Sequence, residues 1–240
     1  MRLRYMVRVI VLSLKDSPRR EIITKRLAKR GINDFEFYDA FDARNMEMSE
    51  LEKLFDIDKF RETYGRDPAR GEIGCTLSHL GLWKRISESD CEKWIVLEDD
   101  AILMPWFKVI FKNDNFPNGM SLLGYSKFGI GHGLLSNLKH FIIGSYIATT
   151  EQKTLYVLGV NKAKNWGFGT VGYSLTKKAS IDLLTTVNET PYFLADDYDI
   201  HGSVTKVNHV RPFLVYEDFK RMESNIENDR IKLKTEESKR

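Results

Sequence analysis

The spacing of apolar residues near the N-terminus predicts three elements. An almost continuous apolar run, VRVIVLSL at 7–14, is rich in β-branched residues and predicts a buried strand. The segment at 16–31 begins with residues that cap helices, places Pro18 in the first turn and ends at Gly31, so it predicts a helix. A second strand is predicted at FEFYDAF, 35–41. A β-α-β opening favours a parallel sheet covered by helices.

Further along the chain, the same spacing predicts more helices and strands. Residues 71–89 repeat apolar side chains at helical spacing and predict a helix. KWIVLEDDA at 93–101 has too few apolar residues for an independent helix and predicts a central strand. SELE at 49–52 has the form of a capping box, and 112–145, rich in Gly, Asn and Ser, predicts loops. The other predicted elements are strands at 154–160, 171–175 and 213–217 and a helix at 176–187 capped by Thr176.

Composition narrows the class of protein. The chain has 240 residues, of which 42% are hydrophobic and 30% charged, with a formal net charge of +3. This length and apolar fraction suffice for a globular protein with a substantial core. The small net charge argues against a dedicated nucleic-acid binder.

The cysteines and the N-terminus bear on the compartment. Cys75 and Cys91 match neither a metal-binding spacing nor a disulfide framework, which favours a reducing environment. Arg8 interrupts the first apolar run and no small-residue cleavage site follows, so we interpret this run as a strand and not as a signal peptide. No stretch approaches the roughly 18 apolar residues that a membrane span needs. These features predict a cytoplasmic protein.

Three carboxylates, Glu98, Asp99 and Asp100, lie at the carboxyl end of the predicted central strand. Ligands of open α/β sheets bind beyond the carboxyl ends of the strands, and carboxylates there suit a hard cation such as Mg²⁺ or Mn²⁺ with substrate phosphates. Such a cation would offset the cost of burying the charges. The alternative is a solvated turn whose acids cap a following helix.

A second acidic group, ADDYDI at 195–200, offers Asp196 and Asp197 as candidate general bases. Taken alone, this sequence is more typical of a helix N-cap with solvated neighbours. His201 and His209 follow it, and His209 is the candidate to complete a metal shell.

GFGTVG at 167–172 matches the spacing of a dinucleotide-binding fingerprint. The fingerprint must follow a strand and open a helix, whereas here a polar segment precedes it and a strand-like segment follows. We therefore interpret these glycines as a place where the backbone passes close to a ligand or a neighbouring strand.

Six segments in this order resemble glycosyltransferase family 25, the bacterial lipooligosaccharide sugar transferases. They are VIVLSLKDSPRR, FYDAFDAR, GEIGCTLSHLGLWK, WIVLEDDA, GTVGYSLTKKAS and ADDYDI, with FLVYEDFKRMESNI similar to the family's ending. The pair GEIGC…SH and VLEDDA is the most specific. Ser13 departs from the family's pattern, which often has Asn there.

The resemblance implies an α/β, GT-A-type (Rossmann-like) fold, a mostly parallel sheet flanked by helices, as a single domain at 1–220. It also implies inverting, metal-dependent transfer of a hexose, galactose first and glucose next, from a UDP-sugar to a lipooligosaccharide glycan. Mn²⁺, or Mg²⁺, would be the cofactor. Carried onto this sequence, the site residues are the metal ligands Asp100 and Glu98, the nucleotide-sugar contacts Leu12, Ser13, Leu14, Arg19, Glu98 and Asp99, and the catalytic Asp197 or Asp196. Apart from the resemblance, His209 is a further candidate metal ligand, and Glu72 and His79 are candidate acceptor or pocket residues.

Two rival functions remain open on the sequence. A metal-dependent phosphohydrolase or nuclease would use the same acids with water as nucleophile. A non-catalytic binding module would hold these acids as structural groups and show no metal-dependent nucleotide affinity.

The polar, partly basic tail at 221–240 bears on the partners. Its basic residues would favour the inner face of the cytoplasmic membrane, where a lipid-linked acceptor lies, by about 1 kcal/mol each. Acidic residues oppose them, so we expect weak, salt-sensitive peripheral association. A solvated tail without a membrane role is the alternative.

Overall fold

A computed structural model of the chain describes residues 7–108, 118–126, 146–149, 154–156, 159–161, 169–187, 189–211 and 213–218. Six helices lie in these ranges: α1 (Arg19–Lys29), α2 (Met48–Leu51), α3 (Ile57–Tyr64), α4 (Arg70–Ser87), α5 (Lys177–Leu184) and α6 (Tyr198–Val204). The strands are β1 (Val7–Ser13), β2 (Glu36–Asp39), β3 (Lys93–Glu98), β4 (Ala101–Leu103), β5 (Met120–Leu122), β6 (Tyr146–Thr149), β7 (Thr154–Tyr156), β8 (Gly159–Asn161), β9 (Gly172–Thr176), β10 (Val207–Arg211) and β11 (Val215–Glu217).

A seven-stranded sheet organises the chain, in the order β2-β1-β3-β9-β5-β10-β6. β2, β1, β3, β5 and β10 point the same way, and β9 and β6 run opposite to them. β4 and β11 form a separate antiparallel pair, as do β7 and β8. The carboxyl ends of β1 and β3 meet at one edge, with Leu12 opposite Glu98.

Apolar side chains cover both faces of the central strands. On β3, Trp94 and Val96 pack into a cluster with α4, α5 and α6, whereas Ile95 and Leu97 pack into a second cluster with α1 and the β4–β11 pair. Burial on both faces explains why the sequence of β3 is continuously apolar and not alternating. A third cluster joins α2, α3 and the start of α4.

Most of the predicted elements are confirmed, including the mixed α/β fold with a mostly parallel sheet and flanking helices. Thr176 caps α5 as predicted, since its Oγ1 accepts a hydrogen bond from the backbone N–H of Ala179 at 3.2 Å. The predicted single strand at 154–160 is wrong, because β7 and β8 divide it into an antiparallel pair. β5 is a further correction, since it lies within the segment predicted as loops.

The helix starts also differ in detail from the prediction. Pro18 lies just before α1 at its N-cap, and the Ser17 Oγ accepts from the backbone N–H of Arg19 at 3.2 Å. At α2 the capping hydrogen bond runs from the Glu47 N–H to Glu50 Oε2 at 3.0 Å. The capping box therefore begins at Glu47, two residues before the predicted position. The tail at 221–240 lies outside the described residues.

No helix in the described ranges combines the length and the apolar character that crossing a bilayer requires.

Burial of His201 on α6 gives the fold a testable pH dependence. The ring is fully buried among aromatic side chains, and Nε2 lies 2.9 Å from the carbonyl oxygen of Ala195. Burial lowers the pKa of His201 below its ordinary value of 6.5. Below pH 6.5 the unfolded chain therefore binds a proton at His201 that the folded chain does not bind. The stability that neutral His201 contributes is present above pH 6.5 and is lost as the pH falls.

We therefore expect His201→Gln to destabilise the protein more at pH 7.5 than at pH 5.5. Urea denaturation of both proteins at the two pH values measures this difference. A loss of stability that is the same at both pH values would contradict the assignment.

Candidate active site at the end of the central strand

β3 ends at Glu98, and Asp99 and Asp100 follow it in a turn. Glu98 lies near the α4 side, close to His79 Nε2 at 3.7 Å. Asp99 faces the loop between β1 and α1. The acids therefore have different surroundings.

Asp99 is held by the protein itself. Its Oδ2 accepts hydrogen bonds from the hydroxyls of Ser13 at 2.6 Å and Ser17 at 2.9 Å, and its Oδ1 lies 3.5 Å from the Arg19 guanidinium. These partners satisfy the carboxylate, whose residue is only 9% exposed. Asp99 therefore ties the β1–α1 loop to the end of β3 and aims Arg19 at the strand end.

Asp100 has a buried oxygen without such support. Its Oδ1 has no hydrogen-bond partner among the described residues, and its Oδ2 lies 3.7 Å from Arg19. Burial raises the pKa of Asp100 well above its ordinary value, and the charges of Glu98, Glu217 and Asp99 raise it further. A buried carboxylate with a free oxygen in a field of like charge is suited to hold a cation.

Glu98 is the acid that faces the core. The Thr170 hydroxyl donates to its Oε1, and the same oxygen faces His79. Burial raises the pKa of Glu98 to about 7, with further upward contributions from Glu217 and Asp196, whereas the bond from Thr170 lowers it.

Helix α4 supplies the floor beneath Glu98. His79 is fully buried, and its Nδ1 lies 2.8 Å from the Tyr173 hydroxyl, which also accepts from Trp83 Nε1 at 3.0 Å. Burial lowers the pKa of His79 to about 4, so its ring is neutral at pH 7. Cys75, one turn earlier, brings its sulfur into the same cluster as His79 and Glu98.

Glu72 is engaged in structural contacts. Both of its oxygens face the Arg66 guanidinium, at 2.6 and 2.8 Å, and Oε2 also accepts from the Ala69 N–H at 2.8 Å. This arrangement closes the first turn of α4. A role of Glu72 in the pocket stays a prediction.

The two candidate bases differ in what they contact. Asp197 caps α6 by accepting from the Ile200 N–H at 3.2 Å, and its other oxygen accepts from the Tyr64 hydroxyl. Asp196 accepts through Oδ2 from the Gly169 N–H at 2.7 Å, and its charge contributes to the raised pKa of Glu98. The predicted N-cap at this acidic group is confirmed for Asp197.

His209 lies in the sheet, away from the other proposed metal ligands. It pairs with Leu122 on β5, which pairs with Tyr173 on β9, which pairs with Val96 on β3. Three strand spacings, about 14 Å, therefore separate the backbone of His209 from β3. The structure does not bring His209 beside Glu98 and Asp100.

The remaining nucleotide candidates lie at the end of β1. Leu12 is buried in the core cluster under α4, and the Leu14 carbonyl oxygen accepts from Arg20 Nε at 3.0 Å. Ser13 is only 3% exposed, and its hydroxyl is committed to Asp99. Arg19 lies at the surface of this group, within reach of both Asp99 and Asp100.

Thr170 and Cys75 belong to the site but were not predicted as site residues from the sequence. Cys75 and His79 lie four positions apart on one helix face, and this spacing was the signal in the sequence that could have identified Cys75.

Gly169 and Gly172 of the 167–172 segment lie close to neighbouring parts of the chain. A Cβ on Gly169 would lie 1.7 Å from Ser126 Oγ, and one on Gly172 would lie 2.7 Å from Val215 Cγ2. The predicted close approach of the backbone at these glycines is thus confirmed.

The buried bond from Ser13 to Asp99 gives a stability prediction. Ser13→Ala leaves a buried carboxylate with one donor fewer, so we expect a loss of about 1.5–3 kcal/mol, the usual range for hydrogen bonds to charged groups. Urea denaturation measures it. Ser203→Ala is the matched control, because Ser203 is an exposed helix serine and should change stability by no more than about 0.5 kcal/mol. Equal effects of the two changes would refute the structural role of Ser13.

Comparison with known sequences then decides the family. The sequence profile of glycosyltransferase family 25 (LPS biosynthesis protein) matches residues 6–200. The chain belongs to this family. The matched segment contains the strand-end carboxylates, the α4 cluster and both candidate bases, so the site lies within the family 25 region.

Several relatives of this family 25 chain carry glycosyltransferase names. A putative glycosyltransferase of Haemophilus influenzae is 28% identical over 85% of this chain and 67% of its own length. A putative glycosyltransferase of Acanthamoeba polyphaga mimivirus is 32% identical over 42% of this chain, and human procollagen galactosyltransferase 2 is 34% identical over 38%. The match spans only 31% of the mimivirus protein and 15% of the human one.

Solved structures with detectable similarity are more distant. The inositol-1-phosphate CTP transferase of T. maritima covers 88% of this chain at 16% identity with a TM-score of 0.45. A glycosyltransferase involved in glycosylation of the PBCV-1 major capsid covers 77% at 10% identity with a TM-score of 0.35.

Proposed function

We propose that this family 25 glycosyltransferase transfers a hexose from a UDP-sugar to a lipooligosaccharide glycan with inversion at the anomeric carbon. Galactose is the first candidate sugar and glucose the second. The observation that carries the proposal is the strand-end group itself, in which Asp100 keeps a buried oxygen free while Asp99 is saturated by the protein. Galactosyltransferase names among the relatives support the choice of sugar.

The residues at this strand end fit a divalent cation. Asp100 supplies the free buried oxygen, and Glu98, on the neighbouring side of the strand end, supplies a second carboxylate. Hard oxygen ligands of this kind suit Mn²⁺ or Mg²⁺, which bind through one or two carboxylates plus substrate phosphates. When bound, the cation would stabilise the negative charge that develops on the departing diphosphate.

Arg19 provides the protein's own positive charge at the strand end. One of its guanidinium nitrogens lies 3.5 Å from Asp99 and 3.7 Å from Asp100, so the charge of Arg19 is directed at the strand end. The planar guanidinium group is suited to phosphate oxygens. We propose that Arg19 pairs with a diphosphate oxygen of the donor. The bonds of Asp99 to Ser13 and Ser17 hold the loop that carries this arginine.

The acceptor hydroxyl needs a base. In the proposed step, the acceptor oxygen attacks the anomeric carbon, the bond from that carbon to the diphosphate oxygen breaks, and UDP leaves with the electron pair. A carboxylate of the 196–197 pair takes the hydroxyl proton. We favour Asp196, since its Oδ1 accepts no hydrogen bond from the part of the chain that the structure describes, whereas both oxygens of Asp197 are engaged.

A screen of UDP-sugars tests the proposal. The purified chain is incubated with Mn²⁺, a lipooligosaccharide core acceptor and UDP-galactose, UDP-glucose or UDP-N-acetylhexosamines in turn. We expect a lengthened glycan, detected by mass spectrometry, with UDP-galactose. Release of free sugar without a lengthened glycan would instead support a hydrolase, and the absence of metal-dependent UDP affinity by calorimetry would support a binding module.

A further inference from the structure

A cysteine, a histidine and a glutamate meet on the floor of the candidate site. Cys75 and His79 lie one turn apart on α4, and Glu98 reaches them from the end of β3. The sulfur, one imidazole nitrogen and one carboxylate oxygen all lie within 4.8 Å of one another. Three different ligand types are thus gathered from two rigid elements.

His79 is the observation that points to a ligand. Its side chain is fully buried, and its Nε2 has no hydrogen-bond partner among the residues described. Its Nδ1 lies 2.8 Å from the Tyr173 hydroxyl, which fixes the ring so that Nε2 faces Glu98. Histidines that bind metals are commonly oriented in this way through their second nitrogen. An orphaned buried nitrogen costs free energy unless something binds it.

The chemistry of the three ligands selects the metal. A thiolate and an imidazole favour Zn²⁺ over Mg²⁺ and Mn²⁺, which prefer oxygen ligands. In a tetrahedral zinc site the nitrogen and oxygen ligands lie about 3.4 Å apart, given bond lengths of about 2.0–2.2 Å. His79 Nε2 and Glu98 Oε1 lie 3.7 Å apart, so these two ligands need a shift of only a few tenths of an ångström. The Cys75 sulfur lies within 4.8 Å of a ligand atom of each.

We propose that Cys75, His79 and Glu98 form a zinc site that shares Glu98 with the cation site at Asp100. The Cys75 thiol gives up its proton to solvent as the zinc–sulfur bond forms. The fourth position stays open to water, as in zinc sites with three protein ligands. Cys75 is partly exposed, which gives the ion a route of entry.

Zinc bound to Cys75, His79 and Glu98 would affect hexose transfer; this part of the inference rests on the proposed function. Glu98 would be a ligand in both sites. When its carboxylate binds zinc, it can no longer bind the cation that holds the sugar donor. Zinc should therefore inhibit hexose transfer, and Cys75 should be required for inhibition at low zinc concentration.

Zinc binding to the full chain decides the site independently of activity. Calorimetric titration with Zn²⁺ alone, on reduced and metal-free protein, should show one ion bound per chain. Co²⁺ as a second probe should give a thiolate charge-transfer absorption band. We expect Cys75→Ser to weaken zinc binding at least 10-fold, which is the lower end for loss of groups around a metal, and to abolish the cobalt–thiolate band.

Cys91→Ser is the matched control. Cys91 is the other cysteine, buried before β3, and its thiol donates to the Lys93 carbonyl oxygen. Cys91→Ser and Asp100→Asn should bind zinc like the wild type, whereas His79→Gln should resemble Cys75→Ser. Equal zinc affinity of Cys75→Ser and Cys91→Ser, or loss of binding in Asp100→Asn alone, would overturn the site.

The inhibition assay is a separate measurement. The zinc concentration that halves transfer should rise at least 10-fold in Cys75→Ser relative to Cys91→Ser. An unchanged inhibitory concentration would overturn the regulatory role, even where zinc binds. Zinc binding without any transferase activity would leave the site standing and refute the proposed function instead.

Discussion

Asp100→Asn is expected to abolish hexose transfer without unfolding the protein. The change removes the charge of the carboxylate whose Oδ1 has no partner among the described residues, and so removes a ligand for the proposed cation. Loss of several kcal/mol of transition-state stabilisation corresponds to a decrease in kcat of roughly 10³-fold or more. The side chain keeps its shape, so the packing of the strand end is retained.

The same substitution should leave the free energy of unfolding unchanged or higher. Burial and three neighbouring acids raise the pKa of Asp100, so its charged form is unfavourable in the metal-free fold at pH 7. A decrease in activity with no decrease in stability is the combination that distinguishes a functional carboxylate from a structural one. Transfer assays with Mn²⁺ and urea denaturation without metal measure the two effects.

Asp90→Asn provides the control for this pair of measurements. Asp90 is exposed and precedes β3 at the opposite end of the same strand, so neither activity nor stability should change appreciably. Full transfer by Asp100→Asn, or full transfer by the wild type in EDTA, would refute the role of this cation.

The fold could be predicted where long segments carry one period. The continuous apolar run of β3 and the helical spacing of α4 each identify a single element, since burial on two faces and on one face leave different patterns. β5 has three residues, too few to show any period, and it lies in a stretch rich in Gly, Asn and Ser. The mostly apolar segment at 154–160 contains a single glycine, Gly159, and no pair of turn residues that would show it to be two strands.

The site was predictable as a location but not as a set of contacts. Three acids after a buried strand indicate a ligand site, because charges at such a place need a partner. Asp99 is structural and Asp100 is available to bind a ligand because the hydroxyls of Ser13 and Ser17 reach Asp99 and not Asp100. The sequence does not show which acid these hydroxyls contact. Thr170 meets Glu98 across 72 positions of sequence, a contact that spacing alone does not reveal.

Replacing Asp196 and Asp197 in turn separates the two candidate bases. Asp196→Asn should lower kcat by roughly 10²–10⁴-fold, the usual contribution of general-base catalysis, with little change in UDP affinity. Asn at this position keeps an oxygen that can accept from the Gly169 N–H, so the backbone around the site is preserved. What it loses is the capacity of the second oxygen to take a proton from the acceptor hydroxyl.

Asp197→Asn is the matched change at the neighbouring position. Asn is as good an N-cap as Asp, and its oxygen can still accept from the Ile200 N–H, so α6 should remain capped. With both Asp197 oxygens engaged by the helix and by Tyr64, we expect kcat to fall less than 10-fold, well below the range for a lost general base. Steady-state kinetics with the sugar donor identified by the screen compare the two variants. The opposite order, with near-normal turnover in Asp196→Asn and a large loss in Asp197→Asn, would make Asp197 the base, with the Tyr64 bond then holding the carboxylate in position for the acceptor.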